Sequence, residues 1–170
     1  GFHPAQAGAL NAVGEARIGY VAGRLATVLE ESGGNHSVIG NLRLAAGDSA
    51  AAFPHLEAGA VEAERHLAGG EAFHLAEAAL AAAIDGDVGE RDELGKLHLM
   101  AARFLRSAGR SAAAARHLES AVGMLEGPDR IDALGFSASV ADDLHRPQDS
   151  ETILAVAEWE AASQGEIGKL

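Results

Sequence analysis

The chain has 170 residues, a length suited to one domain with its own core, and no cysteine, which excludes disulfides and thiolate metal sites. Its net charge of −12 argues against general nucleic-acid binding and against an anionic membrane surface. Apolar residues make up 48%, but aromatics only 4%, so alanine supplies the bulk and the core must be built from closely approaching helices rather than large side chains.

Helical spacing recurs along the whole chain and no stretch alternates as a strand would. A first helix is predicted over residues 5–31, with Leu10, Gly14, Ile18, Val21, Leu25 and Val28 on one stripe and a break expected near Gly23. Gly33-Gly34 stops it. A second helix follows over about 36–46. The third, over about 49–68, has Phe53, Leu56, Ala60, Ala63 and Leu67 in phase, and Pro54 should either start it or kink it. A fourth is expected over about 71–84 with Phe73, Ala76, Leu80 and Ile84 inward.

The fifth and sixth form the clearest pair. Leu94, Leu97, Ala101, Phe104 and Ala108 share one face, and Ala114, Leu118, Ala121 and Leu125 share another. Gly109 between them suits a left-handed helix end, and Ser111 suits a cap. Pro128 and Pro147 suit the opening turns of a seventh helix, about 129–144, and an eighth, about 148–164. The seventh turns Ile131, Leu134, Ala138 and Ala141 to one side; the eighth carries Ile153, Leu154, Ala157 and Trp159. Residues 165–170 read as a frayed tail of this single domain. Gly1 in place of Met suggests a cleaved tag or a fragment of a longer protein.

The segment Ala46-Gly47-x-Ser49-Ala50-Ala51-Ala52-x-x-His55-Leu56-Glu57 recurs 62 residues on as Ala108-Gly109-x-Ser111-Ala112-Ala113-Ala114-x-x-His117-Leu118-Glu119. With Ala101-Ala102, Leu105, Gly109, Ala114, Leu118 and Ala121 at its packing positions, the pair over 94–125 resembles a tetratricopeptide repeat. The resemblance extends more weakly over 36–68 and 91–164. It implies an all-α fold of antiparallel hairpins stacked as an irregular α-α superhelix; a general helical bundle is the alternative. The spacing of 62 falls short of two family repeats and places an odd helix, about 71–84, between the copies.

The resemblance also implies a non-enzymatic, cytoplasmic protein-binding module of the kind found in a regulator or assembly factor. Between Arg91 and Arg116 six basic residues stand against two acidic ones, a local +4 that leaves −16 for the rest of the chain. Lys96, Arg103 and Arg106 share a face of the fifth helix, and with Asn41 of the second they match the places where the resembled family lines its peptide groove. An acidic peptide or terminal carboxylate is the expected occupant. No cofactor, nucleic acid or membrane is expected, and a homodimer through the first helix, as in a small acidic secretion-type chaperone, is a further alternative.

Eight histidines suggest a third reading, a helical-bundle metalloprotein or enzyme using His66, His74, Glu71 and His36. Glu71-x-x-His74 is half of a bundle-type di-metal motif, and no second half is found. Asp85-x-Asp87-x-Gly89 opens like a calcium loop, but its twelfth position is Lys96, and Asp87 reads better as a helix cap. Asp142-Asp143-Leu144-His145 has no nucleophile beside it.

Overall fold

A computed structural model describes the backbone of residues 4–167 and the side chains of residues 13–163. Among the described residues there are eight helices and no strand: α1 Pro4–Glu31, α2 His36–Ala45, α3 Ser49–Arg65, α4 Gly69–Gly86, α5 Arg91–Ser107, α6 Ser111–Met124, α7 Gly127–Asp143 and α8 Pro147–Ile167. Residues 165–167 of the expected tail are thus helical, and 168–170 lie outside the described residues.

Local chemistry sets the ends. Asn35 accepts from the Val38 amide to cap α2, and Asp48 accepts from the Ala51 amide at 3.2 Å to cap α3. Six turns close the same way, with a left-handed residue (Gly33, Gly47, Leu67, Asp87, Gly109, His145) and the next amide bonded five residues back. Asp87 therefore ends α4 and does not cap α5, whose N-terminus is held by a reciprocal Glu90–Glu93 capping box. Ser111 is likewise not the cap of α6. It is the first residue inside that helix, and Arg110 occupies the cap position.

Two expected interruptions are absent. α1 runs unbroken past Gly23, where Gly19 and Gly23 face Ala45 and Ala46 at the end of α2 and permit close approach. α3 starts at Ser49 behind its Asp48 cap and carries Pro54 in its interior, because the missing amide lies on an exposed face while Phe53 and Leu56 anchor the other side.

Each helix packs mainly on the next, and the short connections reverse the chain each time, giving a stack of helical hairpins. α5 is the pivot. Leu97 and Met100 join Phe53, Leu56, Leu75 and Leu80 in one core cluster. Leu99 and Leu105 join Leu118, Leu125 and Val140 in the other. Among the described residues only seven large side chains are essentially fully buried, each contributing about 1.5–3 kcal/mol, so alanine and glycine contacts fill the rest.

Two predicted inward positions point outward. Ile84 is 80% exposed near the end of α4, and Leu67 is 93% exposed just beyond α3. In α1 the covered residues are Ala22 and Ala26, while the stripe of Ile18, Val21, Leu25 and Val28 is open to solvent. Leu10 lies outside the described side chains.

Candidate functional site

The cationic face of α5 forms as spaced, and each of its three cations meets an acid. Lys96 Nζ lies 2.6 Å from Asp92 and 3.4 Å from Asp129 of α7; these carboxylates raise its pKa, Asp92 foremost. Arg106 Nε donates to Asp143 of α7 at 2.7 Å, and its guanidinium stacks over Phe136 at 5.2 Å. That hydrogen bond holds the Asp143 carboxyl below the usual carboxylate range. Arg103 is the least engaged: half exposed, it reaches Glu64 of α3 only at 3.6 Å. Asn41 stands apart on α2, which packs on α1 and α3, and its amide donates to Ser37 of its own helix.

Beside Arg103 lies a hollow of about 250 Å³ lined by Leu67, Gly69, Ala72, Met100 and Phe104, with Glu64 at its edge. Phe104 is fixed by stacking on Phe73 of α4 at 5.0 Å. Leu67 is the odd member. It adopts φ +58, a left-handed conformation that costs a side chain roughly 1–2 kcal/mol, and still offers its isobutyl group to solvent.

The histidines assemble differently from the expected set. His36 of α2 and His55 of α3 face each other with Nδ1 atoms 3.0 Å apart, and His98 of α5 and His117 of α6 do the same at 3.0 Å. In both pairs the outer nitrogen of the second histidine meets a carboxylate: His55 Nε2 lies 3.3 Å from Glu30 of α1, and His117 Nε2 lies 3.6 Å from Glu77 of α4. Glu30 is itself held low by the hydrogen bond from Arg43. Burial, and secondarily His117, pushes the His98 imidazole down to about 4, so it is uncharged at neutral pH.

The odd helix finds its explanation here. α1-α2-α3 and α4-α5-α6 are matching three-helix units, each supplying a carboxylate, a histidine and a histidine in that order. The register carried a signal for this, because His36 and His98 also stand 62 residues apart, as His55 and His117 do.

His66 and Glu71 border one hollow, with Glu62; His74 lies instead beside Phe73. Among the described residues no three or more histidine or acidic side chains come together to hold a metal ion. Asp85 lies within α4 and Asp87 at its end, so the calcium-like stretch is a helix terminus rather than a loop. His145 is the left-handed residue closing α7.

A second surface is apolar. Gly14, Ile18, Val21, Ala22, Leu25, Leu42 and Ala45 line a groove of about 580 Å³ along α1 and α2, with Arg17 beside it. No helix of the described residues is long and apolar enough to cross a membrane. No known family model matches the chain, and no curated protein matches it.

Proposed function

We propose that the chain is a non-enzymatic, tetratricopeptide-like interaction module that holds an acidic partner segment along the α5 face. The carrying observation is the juxtaposition of Leu67 and Arg103: a strained, exposed leucine and a loosely paired guanidinium share one apolar hollow. Strain of this kind persists where the surroundings use it. An apolar side chain of the partner fills the space between Leu67, Met100 and Phe104, and a neighbouring carboxylate exchanges with Glu64 for Arg103. Lys96 and Arg106 extend the same positive edge toward α7, and Asn41 adds a polar contact on α2.

The test uses an array of acidic peptides that each carry one leucine or phenylalanine, followed by fluorescence anisotropy on the binders. Arg103→Glu/Arg106→Glu is expected to weaken binding at least about tenfold without unfolding the stack. Leu67→Gly should raise thermal stability while weakening the same peptides, because it relieves the backbone and empties one wall of the hollow. Equal affinities for wild type and both variants would sink the reading.

A second reading rests on a separate observation, the exposed stripe of α1. The groove along it suits a second copy of the chain, as in a small acidic chaperone that dimerises through its first helix. Helix α1 carries Glu15, Glu30 and Glu31 against Arg17 and Arg24, a net −1, so self-docking there escapes most of the repulsion expected of a chain at −12.

A further inference from the structure

We propose that each histidine pair, His36–His55 and His98–His117, is a two-nitrogen chelating site for a divalent transition ion of the copper or nickel class. Ligand chemistry selects the class: imidazole nitrogens suit the later first-row ions, and copper and nickel stand highest in their order of affinity. An ion about 2.0–2.1 Å from both nitrogens would sit beside the 3.0 Å line that joins them.

The surroundings prepare the nitrogens. The carboxylates of Glu30 and Glu77 face Nε2 of His55 and His117, favouring the proton on that atom and leaving the Nδ1 lone pair toward the partner imidazole. Without an ion, the other histidine of each pair donates its Nδ1–H across the 3.0 Å gap. An ion replaces that single hydrogen bond, and the displaced proton moves to the Nε2 of the same ring. Beside the first pair a hollow of about 580 Å³, lined also by Asn35, Ile39 and Glu62, leaves room for the water that completes the coordination.

The strongest support is duplication. The two pairs come from different helices, with the same atoms facing, the same separation and a carboxylate from the preceding helix on the same outer nitrogen. The histidines recur with the 62-residue sequence repeat; the carboxylate, whose two copies Glu30 and Glu77 stand 47 residues apart, recurs on the same nitrogen outside that register.

The experiment is calorimetric titration of the full chain with Cu²⁺ and Ni²⁺, with paramagnetic resonance of the copper form. All proteins carry His3→Ala, so that the N-terminal segment adds no imidazole. The expected result is two ions per chain, each showing hyperfine coupling to two nitrogens. His55→Gln and His117→Gln should each remove one ion, and the double variant both, with circular dichroism confirming that each stays helical. Glu77→Gln should weaken one site about tenfold and leave the other unchanged. Binding by the double variant equal to that of the parent, or one-nitrogen coupling throughout, would overturn the assignment.

Discussion

Gly40 and Gly135 are both helical glycines, and they predict opposite responses to the same added methyl group. A Cβ at Gly40 would stand 2.7 Å from Leu56 Cγ and 3.1 Å from the Leu56 amide nitrogen, and Leu56 is fully buried. Neither the helix nor the side chain can retreat, so overpacking of about 1–3 kcal/mol outweighs the roughly 1 kcal/mol that alanine returns in helix propensity. At Gly135 nothing lies within 4 Å, and only the propensity gain remains. Gly40→Ala is therefore expected to lower Tm by a few degrees and Gly135→Ala to raise it by a similar amount, read by thermal unfolding. A rise at Gly40 would mean that the close approach of α2 to α3 is not a determinant of stability, and a fall at Gly135 would mean that the propensity gain is not realised there.

At the scale of the helix, Pro54 sits on the exposed side of α3 with about three turns of helix beyond it. A proline in a helix interior costs about 3 kcal/mol against alanine, part of which returns through its stiffening of the unfolded chain. Pro54→Ala should thus stabilise by about 1–2 kcal/mol, and a calorimetric Tm that stays level or falls would show that the proline ring is needed for packing. The eight helices were legible because glycine, proline and the caps punctuate the chain within a residue or two of each boundary. Pro54 misled because propensity speaks to one helix at a time, while Phe53 and Leu56 are held by α4 and its neighbours. Which face of a helix is covered was legible only where large and small residues agreed. In α1 they did not: α2 is ten residues long and approaches over Gly19, Ala22 and Ala26, so the small face is buried and the large one left open. The cations of α5 were legible as a face, but Asp129, Asp143 and Glu64 lie far along the chain, and their pairing with it is a product of the stack.

Taken whole, the molecule is a stack with apolar surface at both ends. Val13, Ile18, Tyr20 and Val28 of α1 are more than half exposed, and Trp159 of α8 is 70% exposed beside Val156. Stacks of helical hairpins need polar outer faces to remain single particles, so these ends favour association. The α1 end is the stronger candidate for a symmetric pair, since its stripe is longer, its charge is close to neutral and its groove beside Gly14 admits a helix. Light scattering from about 1 to 100 µM protein should therefore show concentration-dependent dimerisation. Val21→Asp should return the chain to monomer by placing a charge in the buried face, and Trp159→Ser should leave the dimer intact. Raising salt from about 0.05 to 0.5 M should preserve this apolar contact and weaken the capture of acidic peptides by Arg103 and Arg106, so one titration separates the two surfaces. A dimer that dissolves with Trp159→Ser but survives Val21→Asp would move the interface to α8. A monomer across the whole range would leave α1 without the second copy argued for it.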